Sequence, residues 1–212
     1  MRCLGFTKVL VLCLALSALA FARGNKSFYF DATVGGAYSS FLTKSESMDF
    51  KGEIETDRDY YYGFGPAVDL KAGFRFGWIV PFADLQLMHS GGTLESSGHK
   101  YDESANRLML GVGVNFFPFK NPESAMHGAY VGISLGIMAV YVDCPKELKS
   151  DVGLDEQGLS ASLELGKLWK LNETWSVGVS GIATVDGPIR FGEDSPKNYF
   201  YTMWLGVTVA KM

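Results

Sequence analysis

Hydrophobic and polar residues alternate along most of this chain, most clearly between residues 60 and 77. Even positions there carry large apolar side chains, whereas odd positions carry mostly small or charged ones. A strict two-residue period is typical of a β-strand, because successive side chains leave opposite faces of the pleat. We therefore predict a strand with one apolar face and one small or polar face.

Seven other segments repeat this alternation, some with more noise, so that the pattern predicts eight strands. These are expected at 27–41, 60–76, 80–90, 105–118, 128–142, 158–169, 174–185 and 198–211. Short and long connections alternate between them, and the long polar ones fall at 42–59, 91–104, 143–157 and 186–197. We expect an all-β, up-and-down antiparallel sheet with the four long loops at one end.

Two kinds of closed barrel fit this pattern, and they differ in which face is apolar. A soluble lipocalin-like barrel turns its apolar residues inward around a ligand, whereas a transmembrane barrel turns them toward lipid. The other face of these strands is mainly Gly, Ala and Ser with isolated charges. Such residues suit the narrow lumen of an eight-stranded barrel. We therefore favour a transmembrane barrel over a soluble ligand-binding barrel.

Isolated charges of both signs occupy the face that is predicted to line the lumen. Buried charges are tolerated when they are paired and hydrogen-bonded. Three acids and three bases make such pairing possible, and we predict a luminal charge network of Asp69, Lys71, Arg75, Asp84, Arg107 and Glu164.

Aromatic residues are sorted to the ends of the predicted strands, with aliphatic residues between them. This distribution matches the two aromatic girdles at the interfaces of a membrane barrel. Pro66 cannot donate to the strand ladder and predicts a bulge near one rim. The predicted girdle comprises Tyr60, Tyr62, Phe64, Phe74, Phe76, Tyr199 and Tyr201.

The first 22 residues have the three parts of a secretory signal peptide: basic residues, a short apolar run and an Ala-Phe-Ala cleavage site. We expect a signal peptide at 1–22 and a barrel domain at 23–212. Cleavage would remove Cys3 and Cys13, so the remaining Cys144 could form no intramolecular disulfide. It would also leave 17 Lys and Arg against 23 Asp and Glu, a net charge of −6. That balance argues against a nucleic-acid partner.

Candidate chemistry is sparse, and we predict no catalytic, cofactor or metal site. His89 and Ser90 suggest a lipid hydrolase, but adjacent strand residues point to opposite faces and cannot pair directly. His89 and His99 belong to the long-loop end, whereas His127 lies in a short turn at the other end. The segment 43–59 is rich in acids, and a loop on a rigid barrel is a common place for binding.

The chain from 23 to 212 resembles the small bacterial outer-membrane β-barrels of the OmpA/OmpX type, and its last strand resembles their assembly signal. The matching residues are Tyr201, Met203, Leu205, Gly206, Val207 and Val209. The resemblance implies a location in the outer membrane, with short turns in the periplasm and long loops outside the cell. It also implies contact with outer-membrane lipid and lipopolysaccharide, and with the barrel-assembly machinery.

We therefore expect a non-enzymatic outer-membrane protein with an envelope-structural or surface-interaction role through its four external loops, which could bind an extracellular ligand. A narrow small-solute pore is the main alternative. A lipid-modifying enzyme at the rim and a soluble ligand-binding barrel are the others.

Overall fold

The computed structural model of the chain describes residues 28–48, 54–96, 99–143, 156–188 and 199–211. These residues form one closed antiparallel barrel in which every strand pairs with its neighbours in sequence. The strands are β1 (Phe28–Met48), β2 (Ile54–Phe74), β3 (Ile79–Ser96), β4 (His99–Phe116), β5 (Ala129–Asp143), β6 (Glu156–Lys170), β7 (Trp175–Pro188) and β8 (Tyr199–Lys211). The predicted eight-stranded up-and-down barrel is confirmed.

Several predictions concern residues outside these ranges. The predicted signal peptide, Cys144 and parts of all four predicted long loops lie outside the described residues. No helix within the described ranges is long and apolar enough to cross a membrane.

The strands are staggered around the barrel. A path through directly paired residues leaves β1 at Phe30 and returns to it at Ser40, ten residues further along. Between these two it passes Ala72, Ala83, Val112, Leu135, Ala161, Val185 and Tyr201. A stagger of this kind tilts the strands by about 35–45° from the barrel axis. Each residue therefore advances roughly 2.5 Å along the axis, and about ten residues cross a 25 Å apolar band.

The apolar face of every strand lies on the outside of the barrel, as predicted for a membrane barrel. Leu135 and Leu205 are 67% and 76% exposed, whereas their luminal neighbours Ser134 and Trp204 are buried. The same inversion holds along β2, where Phe64 is exposed and Asp69 is buried. This arrangement is opposite to that of a soluble ligand-binding barrel, which would bury these leucines.

The strands at the long-loop end extend further than the sequence pattern indicated. β1 and β2 pair in register from Phe28↔Phe74 to Met48↔Ile54, through most of the predicted loop 42–59. β3 and β4 likewise pair as far as Ser96↔His99, inside the predicted loop 91–104. Polar sequence suggested loops, but antiparallel pairing continues beyond the membrane, where both faces of a hairpin can meet water.

Pro66 does not produce the predicted bulge. The pairs Phe64↔Gly91 and Ala67↔Met88 flank it in the same one-to-one register between β2 and β3, whereas a bulge would add an extra residue to one strand. The ladder to β3 is interrupted between those two pairs, while Pro66 remains paired with Gly36 of β1. The missing N–H therefore removes local pairing without shifting the register.

The predicted short turn near residue 77 is confirmed as a two-residue hairpin loop. Phe76 and Ile79 exchange backbone hydrogen bonds of 2.8 and 3.2 Å around Gly77 and Trp78. Gly77 has φ 68°, which tight hairpin turns require at their first central position and glycine adopts without a steric penalty.

A charge placed on the outer face should destabilise the barrel according to its depth. Leu135→Arg, in the middle of β5, should lower the free energy of unfolding by about 2–4 kcal/mol in lipid vesicles, because the guanidinium must enter hydrocarbon. Phe119→Arg is the matched control in an exposed turn and should cost about 0–1 kcal/mol. Urea titration followed by tryptophan fluorescence measures both, and equal costs would contradict a lipid-facing Leu135.

Candidate functional site

The lumen is filled with side chains and has three layers. A loop-end plug contains apolar residues, including Phe41, Tyr61, Leu94, Val140, Phe200 and Trp204. A turn-end plug consists of Tyr29, Val80, Phe117, Tyr130, Leu168 and Ala210. A luminal charge layer, which we define as Asp31, Asp69, Lys71, Asp84, Gln86, Arg107, Glu164 and Asp186, is also buried. The groups around Lys71 lie between the plugs, whereas Arg107 and Asp186 pair in register with Val140 and Phe200 of the loop-end plug. Sequence analysis did not foresee the apolar plugs, because it treated the whole inner face as small and polar.

Lys71 connects opposite walls of the barrel. Its Nζ donates to Asp69 Oδ2 at 2.5 Å on the same strand and to Glu164 Oε2 at 2.6 Å on β6. In an eight-stranded barrel β2 and β6 are diametrically opposed, so this ion pair spans the lumen. The ammonium also lies 5.5 Å from the centre of the Phe82 ring, which favours a cation. Lys71 therefore has anionic or aromatic partners on three strands.

Arg107 forms a second connection across the lumen, between β4 and β7. Its Nε and Nη2 donate to Asp186 Oδ2 and Oδ1 at 2.6 and 2.9 Å, a bidentate pair. Its Nη1 donates to Gln86 Oε1 at 3.1 Å, and Nη2 also donates to Ser160 Oγ at 2.8 Å. Gln86 Nε2 in turn donates to Asp84 Oδ2 at 3.1 Å. One hydrogen-bond network therefore joins β3, β4, β6 and β7.

Two tyrosines join the turn-end plug to the charge layer. Tyr130 OH donates to Glu164 Oε1 at 2.7 Å, and Tyr29 OH donates to Asp31 Oδ2 at 2.7 Å. Asn115 Nδ2 donates to Tyr29 OH at 3.3 Å. These hydroxyl groups supply donors that carboxylates need in a site without bulk water.

The luminal charges differ from the predicted balance of three acids and three bases. Asp69, Lys71, Asp84, Arg107 and Glu164 are buried where they were expected. Arg75 instead follows the last residue of β2 and is half-buried at the turn-end mouth. Its Nε donates to Gly77 O at 3.0 Å, and its guanidinium lies 5.4 Å from the Phe117 ring.

Three buried acids were missed by sequence analysis: Asp31, Glu103 and Asp186. Glu103 and Asp186 fell in predicted loops because β4 begins earlier and β7 ends later than the pattern indicated. Asp31 lies on the noisy first strand, where the shared parity of Tyr29, Asp31 and Thr33 could have identified it. Among the described residues the buried set therefore holds six carboxyl groups and two cations.

The predicted girdle residues occur in two groups on the outer face. Tyr60, Tyr62, Phe64, Tyr199 and Tyr201 are exposed at the long-loop end, together with Tyr38 and Tyr141. Phe74 packs edge-on against Phe28 at the turn end. Phe76, Trp78, Phe119, Trp169 and Trp175 are exposed at that end as well. Contact of the two groups with membrane interfaces stays a prediction.

The residues of the predicted assembly signal form part of the seam that closes the barrel. Tyr201, Met203, Leu205, Val207 and Val209 are exposed on the outer face of β8. Gly206 pairs directly with Gly35 of β1. A Cβ at Gly206 would lie 2.6 Å from the Thr33 methyl group and 2.8 Å from Val34 O, so any larger residue would push the two strands apart. Recognition by the assembly machinery remains a prediction.

One hairpin projects beyond the barrel wall at the long-loop end. β1 last pairs with β8 at Leu42↔Tyr199, and β2 last pairs with β3 at Tyr60↔Glu95. β1 and β2 continue through six more pairs, from Thr43↔Asp59 to Met48↔Ile54. Six pairs correspond to roughly 20 Å of two-stranded ladder. We call residues 43–59 the projecting hairpin; residues 49–53 at its tip lie outside the described ranges.

The candidate catalytic residues point in different directions. His89 is exposed, with Nδ1 2.8 Å from Asn106 Oδ1. Ser90 is buried on the luminal face, where it is hydrogen-bonded to Ser39 and Tyr61. Within the described part of the chain, no group of three His, Cys, Asp or Glu side chains could hold a metal ion.

Comparison with known proteins adds little beyond the general architecture. No protein-family model matches the chain, and no curated protein sequence matches it. Neisserial surface protein A has 16% identity and a TM-score of 0.46, over 87% of this chain and 96% of that one. The outer-membrane protein AlkL has 11% identity and a TM-score of 0.49, over 88% and 92%.

The outer-membrane protease OmpT from Escherichia coli has 7% identity and a TM-score of 0.42, over 87% of this chain and 96% of that one. With TM-scores below 0.5, the function must be argued from the residues of this chain itself.

Removing the luminal lysine should strongly destabilise the barrel. Lys71→Met should lower the free energy of unfolding by about 3–5 kcal/mol, because Asp69 and Glu164 would lose their cation while still buried. Adding Asp69→Asn and Glu164→Gln to that variant should restore much of the loss. Lys100→Met is the control, since Lys100 and Glu95 form an exposed pair at 3.7 Å that contributes little. An equal effect of Lys71→Met and Lys100→Met in urea titration would contradict a stabilising role for the Lys71 ion pairs.

Proposed function

We propose that this outer-membrane β-barrel is a closed, non-enzymatic anchor that presents the projecting hairpin to charged partners outside the cell. The observation that carries the proposal is the combination of a lumen filled by ion pairs and plugs with a hairpin that continues past the barrel wall. The first feature favours an anchor over a pore, and the second supplies a surface for binding.

The filled lumen supports a closed barrel. Lys71 and Arg107 each connect strands on different sides of the wall, at 2.6 Å from Glu164 and Asp186. Passage of a solute would have to break these pairs inside a region of low dielectric constant, where an unpaired charge is costly. Apolar plugs toward both ends of the lumen add a second obstacle.

The composition of the projecting hairpin favours a cationic partner. Residues 43–59 contain six acids and three bases, a net charge of −3. The ladder of 43–48 with 54–59 carries this segment away from the membrane surface, so that it can reach a partner without competition from lipid. Divalent cations bridging to lipopolysaccharide phosphates, or a basic surface on another molecule, would both suit this charge.

The separation of His89 from Ser90 supports a non-enzymatic role. A hydrolase needs a base within hydrogen-bonding reach of its nucleophile, and these two side chains lie on opposite faces of β3. The same geometry weighs against a lipid-modifying enzyme that uses this pair.

Closure of the lumen should be detectable in conductance measurements. We expect purified protein in planar bilayers to give no step conductance, because the charge layer and the plugs fill the lumen. The double variant Lys71→Ala/Arg107→Ala leaves the carboxylates and frees luminal volume, so it should give small, cation-selective openings. Regular steps from the unmodified protein would instead support the narrow-pore alternative.

Binding should depend on the hairpin and not on the barrel. Replacing residues 44–58 with Asn-Gly joins the paired residues Thr43 and Asp59 through a two-residue turn. In biolayer interferometry this variant should bind a biotinylated oligolysine peptide at least about tenfold more weakly, because several charge contacts of about 0.2–1 kcal/mol each are lost.

A second variant keeps the hairpin but changes Glu53, Glu55 and Asp57 to their amides. It should lose binding to a similar degree, whereas the control Asp102→Asn, on the exposed face of β4 outside the hairpin, should not. Undiminished binding by the shortened variant, with heat-dependent gel mobility showing that its barrel is folded, would refute the hairpin's role.

A further inference from the structure

The turn-end mouth of the barrel contains a cavity of about 180 Å³. The polar residues that line it come from four places in the chain: Arg75 after β2, His127 in the β4–β5 turn, Lys170 at the end of β6, and Asn172, Glu173, Thr174 and Ser176 around the β6–β7 turn. No part of the proposed function uses this cavity, because that function concerns the opposite end of the barrel.

Local structure fixes the residues that surround the cavity. Arg75 is oriented by its bond to Gly77 O and by the Phe117 ring. Lys170 pairs in register with Ser176, which is buried. Asn172 Oδ1 accepts hydrogen bonds from the backbone N–H groups of Thr174 and Trp175 at 2.9 and 2.8 Å, which shapes the turn between them. The backbone that carries these donor groups is therefore ordered.

Charge at this end of the barrel is positive, in contrast to the chain as a whole. Arg75 and Lys170 outnumber Glu173 in the cavity wall, and the surrounding turn end adds further lysines at positions 120, 167 and 211 against Glu123. The whole sequence has a net charge of −4. A guanidinium and an ammonium beside hydroxyl donors form a chemical environment that binds carboxylate or phosphate oxygens.

The cavity lies on the luminal side of the strand ends. Leu168 and Ser176, which line it, are buried, whereas the neighbouring Trp169 and Trp175 are exposed on the outer face. A ligand would therefore enter from the aqueous compartment beneath the barrel and not from the lipid.

We propose that this mouth cavity is a binding site for a small oxyanion, a carboxylate or phosphate group carried by a water-soluble molecule. Arg75 supplies the positive charge of its guanidinium and Lys170 a second positive charge. Thr174 and Ser176 supply hydroxyl groups, and Glu173 limits the affinity by repelling the anion.

Isothermal titration calorimetry of the folded barrel in detergent tests this site with inorganic phosphate and acetate as separate probes. Arg75→Gln and Lys170→Gln should each weaken binding of at least one probe about tenfold, as expected when a charge-assisted hydrogen bond is lost. Glu173→Gln should strengthen it several-fold. Lys120→Gln is the matched control, because it removes one positive charge from the same end but lies outside the cavity.

These outcomes distinguish a binding site in the cavity from a general positive potential at this end of the barrel. Equal weakening by Lys120→Gln and Lys170→Gln would overturn the proposal, because it would show that only the overall charge matters. Absence of measurable binding to either probe would also overturn it. So would native mass spectrometry in which the barrel retains phosphatidylglycerol but not the soluble anions, because the site would then bind lipid headgroups. Heat-dependent gel mobility shows whether each variant is folded. The stronger anion binding expected for Glu173→Gln cannot result from misfolding.

Discussion

The structure depends on one constraint: in hydrocarbon, no water is available to the backbone, so every strand within the membrane needs a hydrogen-bonded neighbour on each side. A sheet satisfies this only by closing on itself. Closing eight strands with a stagger of ten residues fixes both their tilt and a narrow interior. Side chains must then fill that interior, which explains why luminal positions carry small residues, compact plugs and a few long charged side chains.

Because water is excluded from that interior, its charged side chains need hydrogen-bonding partners within the protein. Two cations serve six buried carboxyl groups, and Asp31 and Asp84 instead accept from neutral donors on Tyr, Ser and Gln side chains. Ser134 Oγ, for example, donates to Asp84 Oδ2 at 2.7 Å. The strands that contribute these groups are joined through the middle of the barrel as well as along its wall. These connections across the lumen favour the closed anchor that we propose over a pore.

The period of two identified the strand faces correctly because it reflects backbone geometry and needs no tertiary information. Strand ends were less predictable, since polar hairpins outside the membrane have the composition of loops. The wrong strand ends also led to wrong members of the charge network. Glu103 and Asp186 were assigned to loops, and Arg75 was assigned to the lumen although β2 ends one residue before it. The mouth cavity could not be predicted, because it combines two turns and two strand ends that are distant in sequence.

The bond between Thr33 and Thr208, 2.8 Å long and separated by 175 positions in the chain, belongs to the seam between the first and last strands. The second edge of β1 therefore stays unpaired until β8, 175 positions further along the chain, is in place. Until then the nascent sheet exposes two unpaired edges, which are prone to pairing with other chains. The assembling sheet must accordingly be protected from aggregation until β8 is in place. Loss of residues from β8 would leave the seam open, whereas an equal loss at a hairpin tip would leave every strand with both neighbours.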